Sequence, residues 1–212
     1  EKHASFQASI KASEYRYGVR IEDEHGAELL TLPAVRFRQL GGFPKAGEAV
    51  HRYKLHADGD AKVQADLKLE AATPGDGAAV AGQGALKVAY RFGAGWRFLR
   101  VAPEDAALKA PWDEQPKALA LWVFGDGAGL SPRMRFVDST GQTFQPTAEP
   151  LGFKGWRCLT FRLDGKDSGH WGGRNDGVVH PPIHLDTLFL LDNHAQQPVS
   201  GEVFIQAPVL MW

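Results

Sequence analysis

Cysteine is almost missing. Cys158 stands alone among 212 residues, so no internal disulfide can form and the fold must rest on packing. Charge of one sign is missing too. Lys and Arg number 24 against 25 Asp and Glu, a formal net charge of −1. That leaves out the basic surplus of a nucleic-acid-binding domain and leaves room for a neutral ligand such as a sugar. No window approaches the roughly 20 consecutive apolar residues of a membrane-spanning helix, and no amphipathic helical repeat is convincing. Glu1 opens the chain without a charged and apolar leader, and we expect a processed or excised piece of a longer protein. The enzyme signatures sought are absent as well. There is no His-Glu-x-x-His, no Gly-x-Ser-x-Gly elbow and no EF-hand pattern, and Gly125–Gly129 lacks the Lys-Ser/Thr ending of a phosphate loop.

What is present is punctuation. The 24 glycines and 13 prolines fall between short apolar runs, the pattern of a sheet protein with many turns. The length suits one large all-β domain, or one domain with an appendage. The stretch 117–145 organises the rest. Lys117–Phe124 alternates Leu119, Leu121 and Val123 with Ala118, Ala120, Trp122 and Phe124, which predicts a strand covered on both faces. Gly125–Gly129 is a turn. Arg133–Asp138 returns with Met134 and Phe136 on one face and Arg133 and Arg135 on the other, a solvated face or a surface for a polar ligand. Ser139–Gln142 is a second turn, before a short strand Thr143–Gln145.

In chain order, Phe6–Ile10, Tyr15–Ile21 and Leu29–Leu40 predict a hairpin or small meander with a turn at 22–26. Val50–Leu55 is a further strand. Residues 1–56 are expected to be an extra β layer or the tail of a preceding domain, and 57–212 the main unit. Lys62–Glu70 alternates as a half-buried antiparallel strand, 71–84 reads as a loop, and Ala85–Phe92 and Trp96–Ala102 as strands. Pro103–Leu108 has weak helical character. Trp156–Leu163, Thr187–Leu191 and Glu202–Leu210 follow, with a long Gly-rich loop over 164–177. Nine or ten strands after residue 60, spaced by turns, indicate an antiparallel sandwich or barrel. Cys158 is expected to pack inside a strand.

The loop 168–177 has the most unusual composition. It combines His170, Trp171, Arg174, Asn175 and Asp176 with four glycines. A ring beside hydrogen-bonding groups suits a sugar, whose C–H face covers the ring while its hydroxyls take the polar groups. The same Trp171 could equally plug the core edge. Among the other tryptophans, Trp122 and Trp156 look structural, and Trp96 and Trp112, near turns, are the better candidates for exposure. His170, His180, His184 and His194 cluster in sequence, but Pro181 and Pro182 rule out a regular helix between His180 and His184, so a zinc site has little support. Asp126, Asp138, Asp164, Asp167, Asp176, Asp186 and Asp192 supply carboxylates. Most read as turn residues, and nothing in the sequence pairs two of them across a scissile bond. Loop aspartates with backbone carbonyls are the oxygen ligands that Ca²⁺ takes.

Residues 60–212 resemble the carbohydrate-binding-module-like β-sandwich domains of the galactose-binding, jelly-roll type that accompany secreted glycoside hydrolases. Four stretches carry the resemblance: Gly84–Phe92; Ala118–Gly127 with Arg133–Asp138 and Gly141-Gln142; Gly155-Trp156-Arg157; and His170–Gly173 followed by Pro182-Ile183 and the strand at Leu188–Leu191. The resemblance implies a non-catalytic glycan-binding sandwich, secreted or in the cell envelope, attached to a polysaccharide-active enzyme, with neither nucleic acid nor membrane as partner. In that family an acidic residue in the last strand can contribute to a structural Ca²⁺; here Val203–Pro208 carries no carboxylate. The expected contacts are Trp171, Arg174, Asn175, Asp176 and His170 in the loop, Arg133, Arg135 and Gln142 on the central strands, and Trp96 and Trp112 in neighbouring turns. The alternative is a structural accessory sandwich that packs against a catalytic domain without binding sugar, which a flat apolar patch around Trp96 and Trp112 would favour.

Overall fold

The computed structural model describes residues 3–11, 14–22, 25–73 and 83–212, with side chains for 22, 25–28, 35–73, 83–206 and 208–212. Part of the loop expected over 71–84, residues 74–82, and part of the turn at 22–26, residues 23–24, lie outside the described residues. The strands are β1 (His3–Lys11), β2 (Glu14–Glu22), β3 (Glu28–Gln39), β4 (Tyr53–Gly59), β5 (Ala65–Ala72), β6 (Ala85–Phe92), β7 (Arg97–Pro103), β8 (Ala118–Asp126), β9 (Ser131–Val137), β10 (Thr143–Gln145), β11 (Lys154–Arg162), β12 (Gly169–Trp171), β13 (His184–Asn193) and β14 (Val199–Met211). The weak helical signal near 103–108 becomes one turn, α1 (Ala106–Lys109), whose N-cap Asp105 accepts from the Ala107 amide at 2.8 Å.

Two antiparallel sheets form the sandwich. The six-stranded sheet runs β12-β10-β9-β13-β7-β4. In the eight-stranded sheet β14 is the hinge of the topology. Val199–Ile205 of β14 pairs with β6, Val209–Met211 pairs with β3, and Phe204–Met211 pairs with β8 along the other edge. The handover from β6 to β3 falls at a register shift between Gln206 and Val209. Pro208 sits there, and a residue without an N–H donor belongs at such an irregularity. Strands β1–β3 of the N-terminal meander continue the eight-stranded sheet beyond β14. The division expected at residue 56 falls inside β4, all of which pairs with β7.

The alternation read from the sequence sets the inner faces. Leu119, Leu121 and Val123 from β8, with Leu86, Val88 and Phe92 from β6, meet Leu99 and Val101 from β7 and Met134 and Phe136 from β9, all without solvent exposure. Each such side chain contributes about 1.5–3 kcal/mol of transfer free energy. The outer face of β8 differs from expectation. Ala120, Trp122 and Phe124 are half-buried, with Phe124 edge-on to Trp156 and Phe204; the rings shield one another where a covering layer was expected. Cys158, expected inside, is exposed. It lies on β11 beside Leu159, which takes the inward position. The Gly-rich loop 164–177 contains the short edge strand β12.

Candidate functional site

Strand pairing lays out the outward face of the six-stranded sheet as rows. Ser131, Asp192, Phe98 and Asp58 form one row, and Arg133, Leu190, Arg100 and His56 the next. Trp171, Thr143, Val137 and His184 form a further row. Two irregularities in β13, between Leu185 and Thr187 and between Thr187 and Leu190, change the alternation there. Thr187 donates to the Asp186 carboxylate at 2.7 Å and accepts from Arg100 Nη1 at 3.3 Å, so both neighbours serve one guanidinium.

On this face lies a groove of about 310 Å³, lined by Phe98, Leu190, Arg133, Arg135, Gln145 and Asp192, with Trp96 and His194 at one side. Its floor is apolar: Phe98 and Leu190 are 8% and 2% exposed. Its walls are polar. Arg133 Nη1 lies 2.8 Å from Asp192 Oδ2, and His194 Nε2 is 3.2 Å from the same carboxylate. Arg135 donates from Nε to Gln145 Oε1 at 2.7 Å. Outside the groove, on the adjoining part of the same face, Arg100 is hydrogen-bonded to Asp58 and lies 3.8 Å from Asp186. Trp96 stands at one side, 48% exposed and stacked on His194 at 6.2 Å. Gly95 permits that turn: its φ is +123°, and a Cβ there would meet Val63 at 2.7 Å. Trp171, 43% exposed, stands at the β12 side, with the Arg135 guanidinium 5.2 Å from its ring and 5.3 Å from the Phe98 ring. Strands β12 and β7 are four positions apart, about 19 Å in a flat sheet, so one guanidinium touching both rings marks a face whose side chains converge.

Of the residues expected to contact a ligand, Trp96, Arg133 and Arg135 line the groove, and Trp171 stands outside it, on the other side of Arg135. Trp112 is elsewhere: it is 5% exposed, belongs to the core, and its amide donates to the Ile183 carbonyl at 2.8 Å. A flat patch around Trp96 and Trp112 is therefore not formed. Gln142, with no exposure, is a buried pin. Its Nε2 donates to Val178 O at 3.0 Å and Asp176 Oδ1 at 3.3 Å, and its Oε1 accepts from the Gly177 amide at 3.0 Å. The polar loop residues turn their groups on the loop itself. Asn175 Oδ1 is 3.0 Å from His170 Nδ1, Asp176 is 3.0 Å from His180 Nε2, and Arg174 Nε is 3.5 Å from Asp176. The His180 hydrogen bond, then the Val178 amide, hold the Asp176 carboxyl down to about 2. His170 alternates with Trp171 on β12, and its ring lies 6.1 Å from that of the core residue Phe144. The loop thus supports Trp171 more than it reaches the groove. Phe98, Arg100, Gln145, Leu190 and His194 were not anticipated. The signal for Phe98 and Arg100 was available, as same-face residues of one predicted strand.

A larger hollow of about 400 Å³ lies on the outward face of the eight-stranded sheet, between Asp66, Lys68, Arg91 and Glu202. Its one aromatic, Tyr90, is 4% exposed with its hydroxyl donated to Asp126, so no ring is offered for stacking. Gln206, where an acidic residue would serve Ca²⁺, is buried and gives its amide to the Gln83 carbonyl at 3.0 Å. Among the described residues no three His, Cys, Asp or Glu side chains converge, and the last strand does not fit a calcium site.

No protein-family model matches the chain, and no curated protein does. Solved structures do. A family 11 carbohydrate-binding module from Clostridium thermocellum, in complex with a β-1,3-1,4-mixed-linked tetrasaccharide, superposes with a TM-score of 0.51 at 10% identity, over 82% of this chain and 94% of that one. The family 11 module of the cellulosomal cellulase Lic26A-Cel5E of the same organism gives 0.49 at 10% identity, over 79% and 92%. The fold is that of a carbohydrate-binding-module-like β-sandwich.

Proposed function

We propose that the chain is a non-catalytic carbohydrate-binding module that holds a polysaccharide against the outward face of its six-stranded sheet. The observation that carries this reading is a pair of half-exposed tryptophans, Trp96 and Trp171, beside a groove walled by guanidinium, carboxylate and amide groups. A pyranose ring presents an apolar C–H face to an indole and hydroxyls to the polar walls. Few side chains would be covered by a short glycan, so affinity is on the order of micromolar to millimolar. Such a module acts by raising the effective concentration of an attached polysaccharide-active domain near its substrate, which accords with a secreted or cell-envelope protein. That a solved structure of the same fold carries an oligosaccharide supports the reading by analogy. A hydrolase is disfavoured by the surroundings of the carboxylates. A general acid must arrive protonated, and arginines are set against Asp192 in the groove and against Asp58 and Asp186 beside it.

The structural alternative is favoured by one observation, the half-buried row of Trp122, Phe124, Trp156 and Phe204 on the opposite sheet. A neighbouring domain would seat there without touching the groove. Affinity electrophoresis against a polysaccharide panel separates the readings. Binding predicts retardation of the parent, lost in Trp171→Ala while circular dichroism stays unchanged; no retardation on any gel would leave the structural role.

A further inference from the structure

We infer that the groove takes an acidic oligosaccharide, one uronate carboxylate of which is held by the two terminal nitrogens of Arg135. The inference rests on the glycan-binding reading above and names the class of glycan.

Two guanidinium groups line the groove, those of Arg133 and Arg135, with Arg100 on the neighbouring strand β7, and the three are not equivalent. Arg100 is hydrogen-bonded to Asp58 and Thr187, with Asp186 at 3.8 Å. Arg133 is paired with Asp192 at 2.8 Å. Arg135 has one hydrogen bond, from Nε to the neutral amide oxygen of Gln145. Among the described residues no carboxylate comes within ion-pair distance of it; the nearby aspartates are engaged by the other two arginines. Its Nη1 and Nη2 are left as the open edge of the fork.

That fork is also fixed in place. The guanidinium lies 5.2 Å from the Trp171 ring, 5.3 Å from the Phe98 ring and against Gln145. A cation held by two rings and an amide loses little freedom when it binds, and its planar pair of donors matches a carboxylate bidentately. Half-burial, then the neighbouring Arg100, act against its charge, and the more distant Asp186 and Asp58 offset only part of that. An anion would relieve that cost; a sugar hydroxyl would not. The position beside Trp171 also suits a sugar acid, since a pyranose stacked on the indole projects its C6 group past the ring edge. The carboxylate and the stacking face are then read by adjacent groups, Arg135 and Trp171.

The test is affinity electrophoresis of the intact chain on polygalacturonate, alginate and glucuronoxylan, each run beside its own carboxyl-reduced product. The expected result is retention by at least one acidic polymer, weakened tenfold or more by carboxyl reduction. The Arg135→Gln variant should show a similar loss, and Arg135→Lys a smaller one, because lysine keeps the charge but not the fork. Lys166→Gln, a charge removed from an exposed turn, should stay within about twofold and so separates a site from general electrostatics. Circular dichroism confirms that each variant folds. Equal retention of acidic and reduced forms, or preference for a neutral glucan, overturns the acidic assignment and leaves a glycan-binding module standing. No retention on any acidic or neutral polymer overturns both.

Discussion

The side-chain amide of Gln142 donates to the Val178 carbonyl across 3.0 Å, from a position with no solvent exposure. It joins the turn after β9 to the segment after β12. Asp138, beside it, accepts from the Thr140 amide and hydroxyl, from the Gln142 amide and from the His180 amide at 2.7–3.1 Å. Together they make a polar hub beneath the loop that backs Trp171.

Removing Gln142 takes the side-chain partner from the Val178 carbonyl and the Gly177 amide, both part-buried, and unties the two segments. Gln142→Ala should cost about 1–3 kcal/mol. Gln142→Glu should cost at least as much, because it sets a third carboxylate beside Asp138 and Asp176. Urea denaturation measures both. A loss below about 0.5 kcal/mol for either would show that the hub is not a stabilising element.

Gly173 makes the closest backbone approach in this region. Its φ is +51°, and an added Cβ would lie 2.3 Å from the Gln142 amide nitrogen and 2.8 Å from the Thr140 carbonyl oxygen. Those are backbone atoms and cannot swing aside. Gly173→Ala should therefore detach the loop locally and weaken glycan retention about tenfold, while the far edge of the sandwich keeps its amide protection. Hydrogen exchange of 138–142 and 172–180 against β5 and β6 reads this directly.

The hub should also show in acid. Burial acts to raise the Asp138 carboxyl, but the hydrogen bonds from Thr140, His180 and Gln142 outweigh it and hold the group below the usual range; Asp176 is held at about 2. Both are depressed from an unfolded value near 4, so the stability they add is fully present above that value and is lost as pH falls towards 2. Thermal melts between pH 6 and pH 2 should fall steeply for the parent and less for Asp138→Asn, which starts lower. Parallel curves would mean that Asp138 does not titrate with folding.

The alternation of Leu119, Leu121 and Val123, and of Met134 and Phe136 against Arg133 and Arg135, was legible because a strand repeats every two residues and one face must be buried. The handover of β14 between three partners was not, since pairing depends on which distant strand lies alongside. Gln142 shows the same limit at the site: it was expected on a ligand-facing surface with Arg135, yet it is buried. Composition drew attention to 168–177, and most polar groups of that loop bond within it, behind Trp171. Phe98, Leu190 and Gln145, which make the floor and part of the wall, carry no unusual local composition; only sheet order brings them beside Arg135.

Trp112 and Trp171 separate packing from presentation most cleanly. Trp112 is 5% exposed among core side chains, and Trp112→Ala should cost about 3–5 kcal/mol by leaving a cavity. Glycan retention by the fraction that remains folded should be unchanged. Trp171 is 43% exposed on an edge strand, with the Arg135 guanidinium 5.2 Å from its ring. Trp171→Ala should cost about 1 kcal/mol or less in stability, since an exposed cation–π contact is worth no more, yet lose about tenfold or more in retention. Urea denaturation and affinity electrophoresis on both variants give four numbers, and the reading requires the two losses to fall on different residues. If Trp171→Ala lost stability and retention in proportion, the ring would be a structural plug, and the groove would have to bind through Trp96 alone.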